Sequence, residues 1–333
     1  MASDVVRVVL TTPLEESNLQ KIRAVGARLK VDQLSPLILA ERKGDLSKKG
    51  ELDGLFGEAE VVYGWIHHFP KNLLSRSPRL KWIQTMSAGV DRLPEDIMKS
   101  PVRIANASGL HGTPMAEVVL QMMLMFAKDA PSCFQMKAKK EFKRYTPMLL
   151  KGQTAGVLGL GAVGKEIARL CQACGMAVLG IRRSSREGEA YSNVDRVYSR
   201  EQLSQFLAAS DFVIIAMPLT RETKGMIGEK ELRSMKPTAY LINVARGAIV
   251  DEAALIRALE EKWIAGAGLD VFVDEPLPPE SRFYELPKVI FSPHISGEMP
   301  DYERRATEVF CENLQRYLQG EPFRHEVDKL KGY

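Results

Sequence analysis

"GVLGLGAVGKEIARLCQACGM" occupies residues 156–176, and "AVLGIRRSSR" follows it at 177–186. The first stretch sets Gly159, Gly161 and Gly164 in G-x-G-x-x-G spacing between an apolar run and a helical pattern. In such a turn the first glycine permits the tight strand-to-helix reversal. The second lets backbone approach a pyrophosphate, and the third lets the helix pack on the strand. Ala162 and Val163 open the helix, whose unpaired N–H groups and dipole suit an anion. The spacing alone also fits any tight strand–helix turn. Its position after a strand and before a helix points to dinucleotide binding.

The second stretch carries a departure. The second strand of such a fold should end in an acid that grips the free ribose of NAD. Here it ends in Arg182, Arg183 and Ser184. A 2′-phosphate would be repelled by an acid and would need cationic donors instead. The sequence therefore favours NADP, with NAD still possible; the bland alternative is that the arginines are surface charges beside a loop.

Outward from this stretch, strand and helix patterns alternate along the 333 residues, enough for roughly two domains. "VVRVVL", "EVVYGWI" and "LKWIQTM" read as strands of a first α/β unit, with "LEESNLQKIRAVG" as a helix. "GTPMAEVVLQMMLMFAKDA" reads as a long apolar helix with Thr113 as N-cap and Pro114 at the first helical position, its methionines serving the core. Six strands follow in a second alternation: "TAGVLGL", "AVLGIR", "DFVIIAM", "AYLINV", "IAGAGLDVF" and "KVIFS". The chain closes on a long helical pattern, "PDYERRATEVFCENLQRYLQG". Such alternation favours parallel sheets.

The formal charge of +4 is too mild to argue for nucleic acid, and the basic run "MKAKKEFKRY" reads as a solvated helix face and linker. No apolar run approaches the ~20 residues of a membrane span. Four scattered cysteines rule out a disulfide scaffold and fit a cytoplasmic protein with reduced thiols. Cys171 and Cys174 form a C-x-x-C but lie within a helical pattern, where ordinary packing is the simpler reading.

Three later stretches follow strand C-termini, where open α/β sheets bind ligands. "INVARGAIVDEAAL" carries Arg246, before a helix capped by Asp251; "GAGLDVFVDEPLPP" carries Asp270 and Glu275; "FSPHISGEMP" carries His294. An arginine can hold a carboxylate through two parallel hydrogen bonds. A histidine exchanges a proton near neutral pH, and an adjacent carboxylate orients it and favours its charged form. With a nicotinamide these groups make a site for reducing a 2-oxo acid. Singly, each has a plainer reading: a loop salt bridge, a solvent carboxylate, a strand-end packing group. No metal-ligand cluster is visible, and no metal is expected.

"GLGAVG", "NVARGAIVDEAAL", "GLDVFVDEPL" and "SPHISG", in that order, make the chain resemble the D-isomer-specific 2-hydroxyacid dehydrogenase family over nearly its whole length. The resemblance implies two Rossmann-like α/β domains with a deep cleft between them, the nucleotide-binding domain inserted into the substrate-binding domain. The expected boundaries are 1–110 completed by 297–333 for the substrate domain, and 111–296 for the dinucleotide domain. It implies that Arg246 binds the substrate carboxylate and keto oxygen, that His294 is the general acid/base, and that Glu275 pairs with it. Asp270 would hold the nicotinamide carboxamide. Ser87, Ala88, Gly89 and Val90 would offer backbone N–H groups to the carboxylate. Thr113, Pro218 and Thr223 (or Thr220) would contact the cofactor. A homodimer is implied as well.

The expected activity is NADPH-dependent reduction of a small 2-oxo acid to the (R)-2-hydroxy acid, and the reverse. An NAD-linked member of the family and a dinucleotide-sensing corepressor are the rival readings. No nucleic acid or membrane partner is expected. Tyr63, Trp65, His67, Met86, Met299 and Tyr302 are candidates for the pocket of the substrate side chain.

Overall fold

The computed structural model describes residues 5–183 and 189–333. Ser184, one of the expected cofactor contacts, lies outside them. The chain divides into two compact units, Met1–Leu110 with Met299–Tyr333, and His111–Glu298.

The first unit holds a five-stranded parallel sheet of β1 (Val6–Leu10), β2 (Leu29–Gln33), β3 (Val61–Gly64), β4 (Trp82–Thr85) and β5 (Arg103–Ala105), in the order β2-β1-β3-β4-β5. Every residue of β1 is buried, as a parallel strand covered on both faces requires. Arg7, the one charge in that strand, is neutralised by Asp32 at 3.3 Å and Glu58 at 2.9 Å.

The closing helix, Tyr302–Gln319, belongs to this unit. Phe310 stacks on Tyr63 with ring centroids 4.1 Å apart and lies 5.3 Å from Trp82. Buried Asn313 donates to Gln84 Oε1 at 2.9 Å and to the Arg324 carbonyl at 3.0 Å, so its burial leaves no amide hydrogen wasted. Tyr302 donates to the Met86 carbonyl at 2.5 Å. Tyr63 and Met86 therefore belong to the core of this unit (1% and 2% exposed). That corrects their place among the pocket candidates: their period-2 neighbours put them on a face the closing helix covers.

The second unit holds seven parallel strands: β6 (Thr154–Leu158), β7 (Ala177–Ile181), β8 (Arg196–Tyr198), β9 (Phe212–Ile215), β10 (Tyr240–Asn243), β11 (Gly266–Leu269) and β12 (Val289–Phe291). Their order is β12-β11-β10-β9-β6-β7-β8. The chain winds outward from β6 to β8, then returns to β9 on the other side of β6. That reversal is the point where open α/β sheets take their ligands. Adjacent residues divide between two apolar cores, Val157, Ile214 and Ile242 in one and Leu158, Ile215 and Leu241 in the other.

The helix Gly112–Ala127 supplies Met122, Met123 and Phe126 to the first of these cores. Its start differs from the expectation. His111 is the N-cap, so Thr113 is the second helical residue and Pro114 the third. The first four helical N–H groups have no intrahelical partner, so proline is tolerated at the third position as readily as at the first. Cys171 lies in the same core, on the helix Ala162–Ala173. Burial, with Cys174 nearby, pushes its thiol up to about 12. A thiol held protonated in this way is inert, which fits a packing role. Among the described residues no helix is long and apolar enough to cross a membrane.

Candidate active site

The glycine run forms the turn from β6 into the helix Ala162–Ala173. Gly159 has φ +103°, and a Cβ there would stand 2.7 Å from the Ala216 carbonyl oxygen. At Gly164 a Cβ would stand 1.8 Å from the Gly159 carbonyl oxygen, so helix and turn touch directly. Gly161 differs: a Cβ there would meet nothing within 4 Å. The chain's own packing does not require glycine at 161, and the helix it opens has no side-chain cap. An uncapped helix start with open space before it fits the pyrophosphate of a dinucleotide.

Beyond β7 the two arginines take different partners. Arg182 hydrogen-bonds the Tyr191 hydroxyl, and its guanidinium carbon lies 5.5 Å from that ring's centroid. Arg183 donates to Glu222 Oε1 at 3.1 Å. Past β9, Thr223 donates to the Pro218 carbonyl at 2.8 Å and accepts from the Thr220 amide at 2.8 Å, which closes that loop on itself. Thr113 is exposed near the start of its helix.

Arg246, Asp270, Glu275 and His294 come from loops after β10, β11 and β12, which are sheet neighbours with Asn243, Leu269 and Phe291 in register. Arg246 directly precedes a single 3₁₀ turn, Gly247–Ile249. Asn243 Nδ2 donates to the Arg246 carbonyl at 2.9 Å, and Arg246 Nη1 donates to the Ala245 carbonyl at 2.7 Å. A Cβ on Gly247 would stand 2.1 Å from the Phe272 carbonyl carbon, so this loop lies directly against the one after β11. Asp251 caps the following helix, accepting from the Ala254 amide at 3.0 Å, as expected.

Asp270 is fully buried. Its carboxylate accepts from Ser292 Oγ at 2.6 Å, the Ile295 amide at 3.0 Å and the Ser296 amide at 3.1 Å. Its carbonyl accepts the His294 amide at 2.8 Å. This one residue thus braces the whole His294 loop. The brace has work to do, because His294 has φ +54°. Left-handed backbone costs a residue other than glycine roughly 1–2 kcal/mol. So held, His294 directs Nδ1 to Glu275 Oε2 at 2.8 Å, while Glu275 Oε1 accepts the Phe272 amide at 3.2 Å. A carboxylate only accepts, so Nδ1 carries the proton and Nε2 is the nitrogen available for exchange. His294 remains about two-fifths exposed, within reach of a ligand.

His111 was absent from the sequence reading, although "HGTPMAE" contains it. A Cβ on Gly297 would stand 2.8 Å from His111 Cδ2, so the ring sits against the end of the His294 loop. Burial, aided by the charge of Arg246, pushes its imidazolium down to about 4. His111 is therefore neutral at physiological pH.

In the first unit, the Ser87–Val90 loop follows β4. The Ser87 carbonyl accepts from Thr85 Oγ1 at 2.8 Å and from the Ala107 amide at 3.1 Å. The Ala88 carbonyl accepts from Asn106 at 2.7 Å, and the Gly89 carbonyl from Ser87 Oγ at 2.9 Å. Trp65 stacks on Tyr302 at 5.2 Å and lies 6.2 Å from His67.

Residues 120–296 match the family model of the D-isomer specific 2-hydroxyacid dehydrogenase NAD binding domain. A glyoxylate reductase of Thermococcus litoralis is 36% identical over 261 residues, 75% of this chain and 78% of its own. The D-isomer specific 2-hydroxyacid dehydrogenase of Xanthobacter autotrophicus Py2, solved with NADPH and MES, has a TM-score of 0.81 at 30% identity, covering 99% of this chain and 100% of its own. An NADPH-dependent glyoxylate/hydroxypyruvate reductase of Sinorhizobium meliloti, solved with NADP and sulfate, has a TM-score of 0.81 at 26% identity over 98% of this chain and 100% of its own. The fold and the strand-end loops are those of a nicotinamide-dependent α/β oxidoreductase. The chain belongs to the D-isomer specific 2-hydroxyacid dehydrogenase family, and its second unit carries that family's NAD-binding domain.

Proposed function

We propose that the protein reduces a small 2-oxo acid to the (R)-2-hydroxy acid, with NADPH preferred over NADH. The observation that carries the reading is the His294–Glu275 pair at 2.8 Å, held on a loop that Asp270 braces, beside the loop bearing Arg246. Glyoxylate reductases among the relatives make glyoxylate and hydroxypyruvate the first substrates to try.

Each residue then has a task. Arg246 holds the substrate carboxylate and stabilises charge on the keto oxygen. The amides of Ser87, Ala88, Gly89 and Val90 are assigned to substrate binding, as the family resemblance implies. NADPH, when bound, supplies the hydride for the keto carbon. His294 delivers a proton from Nε2 to the oxygen, and Glu275 keeps the imidazole in the tautomer and orientation for that transfer. Gly159, Gly161, Ala162, Val163 and Gly164 take the pyrophosphate. Thr113, Pro218 and Thr223 border the cofactor, and Asp270, which also braces the His294 loop, is assigned to the nicotinamide carboxamide. Two domains, with the second unit inserted into the first, serve substrate and cofactor respectively.

Arg183, with Arg182 beside it, is assigned to the 2′-phosphate. Guanidinium donors suit a phosphate dianion, and relatives bind NADPH or NADP. The test is kcat/KM with both cofactors, over a panel of 2-oxo acids. Replacing both arginines by alanine should raise the KM for NADPH on the order of a hundredfold, at ~1.5–3 kcal/mol for each charge-assisted bond. It should leave NADH nearly unchanged. A wild type that prefers NADH, or a double variant that still prefers NADPH, defeats the NADP assignment. No turnover of any 2-oxo acid defeats the reductase reading.

A further inference from the structure

Arg183 shares its carboxylate partner with a third arginine. Glu222 Oε1 accepts from Arg183 at 3.1 Å, and Arg200 Nη1 stands 3.4 Å from Glu222 Oε2. Arg200 Nη2 also donates to the Glu222 carbonyl at 3.0 Å. The three residues follow three different strands, β7, β8 and β9, and their side chains are each a little under half exposed. The carboxylate thus comes from the far side of the sheet's reversal point to two cations on the near side. Both its support and that of Arg200 are built. The Glu222 amide donates to Thr220 Oγ1 at 3.3 Å, within the loop that Thr223 closes. Arg200 starts a 3₁₀ turn whose Ser199 and Gln202 cap one another, the Ser199 amide donating to Gln202 Oε1 at 3.0 Å.

We propose that Arg200 is a third cation for the 2′-phosphate and that Glu222 is the resident anion the phosphate displaces. The proposal rests on the NADP reading above. Two guanidiniums gathered on one site repel each other unless an anion lies between them. A carboxylate with one negative charge fills that role in the free enzyme. A phosphate with close to two charges and three acceptor oxygens outbids it, because guanidinium forks match phosphate geometry well. Glu222 therefore sets the cofactor preference from a loop outside the second strand. It weakens the hold on the 2′-phosphate while keeping Arg183 and Arg200 poised. NADH brings a hydroxyl, which gives the arginines nothing to exchange Glu222 for.

Adenosine 2′,5′-bisphosphate and 5′-AMP differ only in the 2′-phosphate and serve as probes, titrated against the wild-type enzyme at one fixed low salt. Arg200→Ala should weaken the bisphosphate about tenfold, one charge-assisted contact, and leave 5′-AMP within twofold. Glu222→Gln should tighten the bisphosphate about threefold, the scale of an exposed ion pair, again with 5′-AMP unmoved. Arg183→Ala is the reference. If Arg183→Ala abolishes the preference for the bisphosphate while Arg200→Ala does not, or if Glu222→Gln weakens binding, this assignment is overturned and the NADP reading stands. If the wild type binds both probes equally, the NADP reading falls and takes this assignment with it.

Discussion

His294 Nδ1 and Glu275 Oε2 stand 2.8 Å apart, although they lie 19 positions apart in the chain and follow different strands. The contact leaves Nε2 as the imidazole nitrogen available for proton exchange. General acid–base transfer by a positioned group contributes about 10²–10⁴ in rate. Glu275→Gln keeps the size but offers an amide that can donate as well as accept, so the tautomer is no longer imposed. kcat for oxo-acid reduction should fall about ten- to a hundredfold with the NADPH Kd unchanged. In a His294→Asn background the same substitution should cost nothing further, since the two act as a unit. Additive losses would show that Glu275 acts elsewhere.

Arg246 is assigned to the substrate through its guanidinium, one nitrogen of which already donates to Ala245. Lysine retains the charge and loses the planar fork. Arg246→Lys should lower kcat/KM by about tenfold or more, equivalent to ~1.4 kcal/mol, while cofactor binding stays put. Turnover at the wild-type level would remove Arg246 from contact with the substrate.

His111 gives the fold a measurable pH dependence. Its imidazolium is pushed from the ordinary 6.5 down to about 4, first by burial and then by Arg246. As pH falls from 6.5 towards 4, the unfolded chain takes up a proton at this residue and the folded chain does not. Its contribution to stability is therefore present above about 6.5 and lost across that window, on the order of 3 kcal/mol in all. His67, His68 and His325 are also held below the ordinary value, mainly by burial, so the comparison must be with a variant. The difference in unfolding free energy between wild type and His111→Gln, read from urea titrations, should change by that amount between pH 7 and pH 4. Parallel curves would mean that the ring is solvated and titrates normally.

Much of this architecture was legible in the chain because long apolar strands and the glycine turn carry their own local signal. β6, β7, β9, β10, β11 and β12 lie within the six runs read as strands. β5 and β8, three residues each and bearing an arginine, lack any periodicity to read; they are strands because neighbours complete their ladders. Arg246, Glu275 and His294 stand out because each follows such a run. His111, Arg200 and Glu222 do not, since nothing local marks them. Their chemistry arises only when three loops meet, or when a helix start is laid against Gly297. The helix is capped two residues before Thr113, the cap expected from sequence, because proline is accepted at any of the first few helical positions and so does not fix the start.

The segment after the helix Ala130–Lys139 bears on the expected homodimer. "MKAKKEFKRY" suggested a solvated face, yet Phe142 within it is 96% exposed, with Phe134 and Leu149 about two-thirds exposed. Single exposed apolar residues are ordinary, so Phe142 tests whether this stretch of chain is buried by a partner. A second copy of the chain is the partner the family resemblance implies. In a two-fold dimer every such residue is buried twice. Burying a phenylalanine is worth about 1.5–3 kcal/mol, so Phe142→Ala should weaken the dimer by about 3–6 kcal/mol. The dissociation constant should then rise on the order of a hundredfold to ten-thousandfold. Sedimentation across nanomolar to micromolar protein reads the change, with far-UV circular dichroism to verify that the protomer is folded. A wild type that sediments as a monomer at tens of micromolar, or a variant as tightly dimeric as the wild type, would remove Phe142 from any such interface.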